Sequence, residues 1–157
     1  MKIDTIRFGE IQIEEEKFVK FDAGLPGMEE LKRFVLISTD ETAPFHWIQA
    51  VDDATISLPV VNPFDLCPEY DPVVSEDVFN ELDIKDTKEL LVLTISVIPK
   101  EHRNMTANFM APIIINTVNN KGAQVIMDSS DYNMREPIFE RVQVYLNGGG
   151  SNAGSDA

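Results

Sequence analysis

Basic charge, cysteine, histidine and long apolar runs are all scarce in this chain, and each scarcity removes a class of protein. Thirteen Lys and Arg stand against 27 Asp and Glu in 157 residues, a formal charge of −14. A surface of that sign is repelled by phosphate, which argues against direct contact with nucleic acid or an anionic membrane. The single cysteine, Cys67, cannot close an internal disulfide and fits a reducing, cytoplasmic setting. The two histidines, His46 and His102, belong to no zinc spacing. No stretch approaches the roughly 18 apolar residues of a membrane helix. Met1-Lys2-Ile3-Asp4 sets an acid where a signal peptide carries apolar residues. Gly24-Leu25-Pro26-Gly27 lacks the lysine and hydroxyl of a phosphate loop, and no nucleophile elbow is present.

What is there is a globular composition, 43% hydrophobic and 25% charged, of a length that suits one domain. Period-two alternation dominates. Residues 3–8 alternate, Gly9-Glu10 offers a tight turn, and residues 11–14 continue the pattern. Strands are expected near residues 18–21, 34–38, 46–50, 55–59, 106–110, 113–117 and 123–127. The clearest spans 89–98 and stops at Pro99, which has no ladder donor. Helix is confined to a turn or two after Pro26-Gly27 and to residues 75–82, where Ser75 suits an N-cap and Glu76 and Asp77 suit the first turn. Residues 138–146 alternate as a strand does, yet also make two turns of helix. The expectation is a mainly β, antiparallel barrel-like or sandwich-like domain over residues 1–146 with one or two short helices. A Gly/Ser-rich segment over 147–157 is expected to be disordered, as a frayed end or a tether.

The catalytic inventory is thin. His46 begins an alternating strand beside Trp47 and reads as a core-edge or rim residue; His102 lies in a charged loop. Cys67 has no local base to activate it and reads as a small apolar residue. Asp52-Asp53 and Asp65, Glu69, Asp71 offer oxygens, but without the glycine and closing glutamate of a calcium loop. No cofactor and no metal are expected. Charge distribution stands out instead. From Phe34 to Ile84 there is no lysine or arginine, while eleven acids fall in that window. Such a window is either a solvated acidic face or a field that steers a basic partner. Phe45, Trp47, Phe64, Tyr70 and Phe79 lie within it, as aromatic anchors do within a charged rim. The candidate contact residues are Phe45, Trp47, Asp52, Asp53, Glu69, Asp71, Glu76 and Asp77. Asn108, Pro112 and Asn116 are candidates for a shaped loop, or for a purely structural turn.

Several strings together resemble the FliW family of bacterial flagellar assembly factors. They are Ile3-Asp4-Thr5, Phe8-Gly9, Phe21-Asp22-Ala23-Gly24-Leu25-Pro26-Gly27-Met28 and Phe34-Val35-Leu36. Pro44-Phe45-His46-Trp47-Ile48-Gln49-Ala50, Pro63-Phe64 and the run from Asn108 to Asn116 follow, then Gln124-Val125-Ile126, Tyr132 and Arg135. The resemblance spans roughly residues 2–140; Met28 stands where the family usually has phenylalanine, and the glycine-rich tail is outside its pattern. It implies a compact β-barrel-like fold and a non-enzymatic partner switch. Its members bind flagellin in the cytoplasm and also the translational repressor CsrA, whose capture relieves repression of flagellin synthesis. The free protein is expected to be a monomer, and its charge argues against direct nucleic-acid or membrane contact. Two other readings stay open: an export chaperone for flagellin alone, and a small carboxylate-based metal-dependent enzyme.

Overall fold

In a computed structural model that describes residues 1–127 and 131–149, strands β1 (Lys2–Thr5) and β2 (Gly9–Gln12) form an antiparallel hairpin apart from the main sheet. The sheet itself contains β3 (Val19–Lys20), β4 (Arg33–Ser38), β5 (Phe45–Ala50), β6 (Ser57–Val61), β7 (Leu90–Val97), β8 (Thr106–Ala107), β9 (Ile113–Asn116), β10 (Lys121–Gln124) and β11 (Glu136–Pro137). Its order is β11-β8-β7-β6-β5-β4-β3-β10-β9, and a further pairing of β9 with β7 closes seven of these strands into a barrel. Closure removes most of the free edge that an open sheet of this size would present, although β3, two residues long, covers only part of β10. Every pairing is antiparallel except β3 with β10, which meet in parallel through the single register Lys20 opposite Lys121.

Both faces of the barrel wall are buried. Phe34 and Leu36 point to an interior cluster with Phe21, Ile48, Val60, Leu93, Ile113 and Ile115, where Phe21 and Phe34 meet edge to face at 5.5 Å. Their neighbours Val35 and Ile37 point outward and pack with Ile3, Phe18 and Ile11 under the β1–β2 hairpin. Outside β7 and β9, Val92 and Ile114 join a third cluster with Phe45, Leu66, Tyr70, Phe109, Ile138 and Val142. Each fully buried side chain of this size contributes about 1.5–3 kcal/mol relative to exposure. A wall covered on both faces selects apolar residues at consecutive positions, as in Phe34-Val35-Leu36-Ile37 and Ile113-Ile114-Ile115.

The third cluster is roofed by short helices. α1 (Pro63–Leu66) starts with Asn62, whose side chain accepts from Phe64 N–H at 2.9 Å, and with proline in its first turn. α2 (Glu76–Glu81) matches the expected helix, although the Ser75 side chain makes no capping hydrogen bond. α3 (Phe139–Val144) resolves the ambiguous segment as helix: Val142 and Ile138 face the core, and the chain winds on through Tyr145–Gly149 with a break at Asn147 and Gly148. The expected disorder of residues 147–157 falls, from 150 onward, outside the described residues.

Some boundaries differ from the sequence expectation for identifiable reasons. No helix follows Pro26-Gly27; successive turns do, with Leu25 bridged to Met28. The strand expected over 106–110 ends at Ala107 because Asn108 turns the chain out, its Oδ1 accepting from Met110 N–H and Ala111 N–H at 3.2 and 3.1 Å. The strand expected over 123–127 forms two residues earlier, over β10. The expected strand at 55–59 is displaced to 57–61, because Asp53 binds Thr55 and holds the preceding residues in a turn.

Candidate functional site

A groove of about 410 Å³ opens at the end of the barrel where β5 begins. Its floor is apolar: Phe45 and Trp47 from β5, Met105, and Phe139 and Val142 from α3. Ile98 and Leu146 stand at its edges, and Arg7, Glu41, His102 and Gln143 supply a polar rim. Leu146 is 55% exposed, a large apolar side chain left uncovered beside an apolar floor. The chain assembles this floor from distant segments. The turn Asp40–Thr42 leads into β5, the hairpin tip carries Arg7 over it, and α3 closes it from the C-terminal side.

Trp47 is fixed from every side. Its indole N–H donates to Thr42 Oγ1 at 3.2 Å, and that hydroxyl donates to the Phe45 carbonyl at 3.1 Å. The Arg7 guanidinium lies 4.0 Å from the indole centroid, a cation–π stack, while Phe8 meets the ring edge-on at 6.2 Å. The residue is only 7% exposed, as is Phe45. A rigid aromatic floor with one charged ring partner and an exposed leucine beside it suits the apolar face of a partner element.

The acids expected at contacts fall into separate places. Asp52 and Asp53 occupy the turn between β5 and β6; Glu69 and Asp71 lie beyond the opposite end of that hairpin. The five registered pairs between them span about 13 Å. Asp52 is engaged by Arg33 through two hydrogen bonds, 3.1 Å from Nε and 2.5 Å from Nη2, which raise the arginine's affinity for its proton. Asp53 Oδ1 accepts from the Thr55 hydroxyl and N–H at 2.6 and 3.0 Å, and these bonds hold its carboxyl below the usual range. Both residues therefore carry a structural duty in the turn.

Glu69 and Asp71 flank Tyr70, which packs on Tyr132, Phe109 and Phe64 at 4.7, 5.1 and 5.6 Å. Tyr70 is buried and donates to the Phe109 carbonyl at 2.7 Å; burial pushes its phenol pKa up. Asp71 N–H donates to the Tyr132 hydroxyl at 2.8 Å. The Glu69 carboxyl is lowered by its own backbone N–H and then by the Cys67 thiol. Cys67 is buried, and burial foremost raises its thiol, which makes it inert as a nucleophile. Glu76 and Asp77 are exposed side by side in the first turn of α2. Phe45 and Trp47 thus share the groove, with Glu41 as its one carboxylate; the other candidates lie outside it.

His46 is half-buried outside the groove, on the side of β5 that carries Ile48, with its Nδ1 2.7 Å from Ser38 Oγ. Asn116 is buried and structural: its Nδ2 donates to Leu82 and Asp83 carbonyls at 2.9 and 3.2 Å, and its Oδ1 accepts from Val118 N–H at 3.0 Å. Sequence reasoning did not single out Arg7, Thr42, Phe139 or Leu146. Helical phasing of residues 138–146 was the available signal, since it sets Phe139, Val142, Gln143 and Leu146 on one side of a helix. Among the described residues, no group of three His, Cys, Asp or Glu side chains is placed to hold a metal ion, and no helix is long and apolar enough to cross a membrane.

Comparison with known proteins bears on this geometry. The family model described as FliW protein matches residues 2–138. The flagellar assembly factor FliW of Alkaliphilus metalliredigens is 40% identical over 144 residues, covering 91% of this chain and 89% of that protein. The protein of the same name from Caldanaerobacter subterraneus is 40% identical over 144 residues, covering 91% and 96%. A crystal structure of the flagellar assembly factor FliW superposes with a TM-score of 0.83 at 30% identity, covering 88% of this chain and 97% of that one. With a barrel of the same build and a family match running from β1 to the start of α3, this chain belongs to the FliW family.

Proposed function

We propose that this protein is a cytoplasmic, non-enzymatic regulator of flagellar assembly that binds flagellin and CsrA in alternation. The observation that carries the reading is the groove floored by Phe45 and Trp47, rimmed by Arg7 and Glu41 and edged by the exposed Leu146. Flagellin before export presents apolar helical surface, and such a face fits a preformed apolar groove by its i, i+3 and i+4 side chains. CsrA must be basic where it holds RNA. The net charge of −14 favours fast encounter with it. Glu69, Asp71, Glu76 and Asp77 are the acids free to contribute, since Asp52 and Asp53 are held in their own turn. The family's curated relatives carry the name flagellar assembly factor, in keeping with this role. The free protein acts as a monomer and reaches RNA translation only through the repressor.

Titration of the full chain with purified flagellin and with CsrA, each at low and moderate salt, tests the reading. Both are expected to bind. CsrA affinity falls steeply with salt, and flagellin affinity falls little, because one contact is steered by charge and the other is apolar. Absence of binding to either partner by a folded sample overturns the exchange model. CsrA affinity indifferent to salt overturns its electrostatic part.

A further inference from the structure

The barrel closes imperfectly at one seam, and the gap has the form of a vacant strand position. Along β10 and beyond it, Val125 N–H donates to the Pro112 carbonyl at 2.9 Å and Met127 N–H to Met110 at 2.8 Å. In that register the odd-numbered residues direct their backbone groups toward β9, so those of Gly122, Gln124 and Ile126 point the other way. On that other side stands β3, only two residues long. Its one register, Lys20 opposite Lys121, engages the groups of residues 120 and 122, with Lys20 N–H donating to the Asn120 carbonyl at 2.9 Å. Beyond it the chain turns away: Phe21 N–H donates to Lys32 and Gly24 N–H to Phe21. Among the described residues, the N–H of Gln124 and of Ile126 therefore have no backbone partner across the seam.

A groove of about 390 Å³ runs along this open edge, between β10 and its continuation on one side and Ala23, Gly24 and α2 on the other. Val78 and Val125 give it an apolar lining, and Ile126 stands 63% exposed at its mouth. Its one charged lining residue is Glu81. Glu76 and Asp77 lie on the same helix, and on the other wall the backbone of Glu29 is pressed against Gly24. Lys20 and Lys121 mark the closed end of the seam and do not line the groove. Gly24 has φ +69°, and a Cβ there would lie 2.5 Å from the Glu29 carbonyl oxygen. Glycine is thus what lets this wall approach so closely.

We infer that the β10 edge is a strand-addition site for an extended, cationic segment of a partner protein. The segment pairs with the outward groups of Gln124 and Ile126, sets apolar side chains against Val78 and Ile126, and directs Lys or Arg toward Glu81 and its acidic neighbours. Main-chain hydrogen bonds provide the affinity of such a mode, and the acidic rim selects the sign of the guest. The site is distinct from the Phe45–Trp47 groove, and the inference stands whether or not that groove takes flagellin.

The test uses the full chain and four short blocked peptides: valine alternating with lysine, the same peptide N-methylated at every second residue in one frame and in the other, and valine alternating with glutamate. Binding is followed by amide shifts and hydrogen exchange. The lysine peptide is expected to shift the amides of Gln124 and Ile126 and slow their exchange. N-methylation in the frame that faces β10 is expected to weaken binding about tenfold or more, since it removes ladder bonds while keeping every charge. Glu81→Gln is expected to weaken the lysine peptide about threefold, and the glutamate peptide should not bind. Binding indifferent to N-methylation in both frames, shifts confined to other residues, or self-association of the chain through these amides without peptide would each overturn the inference.

Discussion

At the scale of single residues, polar side chains here mostly hold the backbone in shape. Asn116 bridges the end of β9 to the end of α2 through two hydrogen bonds and holds its own turn through a third, from Val118 N–H, while almost fully buried. Asn116→Ala leaves two carbonyls and an N–H without this partner and should cost about 2 kcal/mol in urea unfolding. Gly24→Ala should cost about as much, because it adds a Cβ against the Glu29 backbone at a positive φ. The carboxylates give a signed pH dependence. Asp53 and Glu69 are held below their usual range, by Thr55 and by backbone N–H respectively. Their stabilisation is therefore in place above the ordinary carboxylate range and lost as pH falls through the lowered values. Asp65 runs the other way: partial desolvation of its carboxyl raises its pKa, with His46 opposing. Its ionisation opposes folding as pH rises through that raised value. Asp65→Asn should accordingly raise the thermal midpoint at pH 7, and the gain should vanish below the ordinary aspartate range. A gain that persists undiminished in acid would contradict this assignment.

At the scale of elements, α3 connects the core to the groove proposed for binding. Its inner side, Ile138 and Val142, anchors the core, and its outer end leaves Leu146 beside the groove. Leu146→Glu should change stability by no more than about 0.5 kcal/mol and yet weaken the apolar partner about tenfold, in a paired denaturation and binding measurement. A large loss of stability would mean that Leu146 is structural. This element was also the least legible in the sequence. Val142, Val144 and Leu146 alternate as well as they phase helically, and only the burial of Val142 with Val144 exposed separates the two. Strands β4, β5 and β7 were legible because short stretches rich in β-branched, aromatic and other apolar residues, bounded by turns, leave few alternatives. The break after Ala107 was not, since Asn108 acts through side-chain bonds to Met110 and Ala111 that local composition does not announce.

At the scale of the whole molecule, the excess of acid resolves into places with different duties. The basic-free window does not form one sheet of charge. Asp52 and Asp53 stabilise one end of a hairpin, while Glu69, Asp71, Glu76 and Asp77 are distributed beyond its other end and along α2. Sequence could give the count and not this division, because a barrel sends successive turns to opposite ends. Phe45 and Trp47 stood out in the sequence, but the groove they line required Arg7 and Phe139, from opposite ends of the chain, to meet. A field from all fourteen excess charges still acts at long range, so CsrA association should slow at least tenfold between low and moderate salt in stopped-flow. The account's central claim is that one protein holds two partners in turn. Its most direct test is to form the complex with CsrA, add flagellin monomer, and follow the composition of the eluting species by size-exclusion chromatography with light scattering. The account predicts that flagellin enters the complex as CsrA leaves it, in proportion to the flagellin added. A stable species containing all three proteins, or CsrA retained at saturating flagellin, would contradict it.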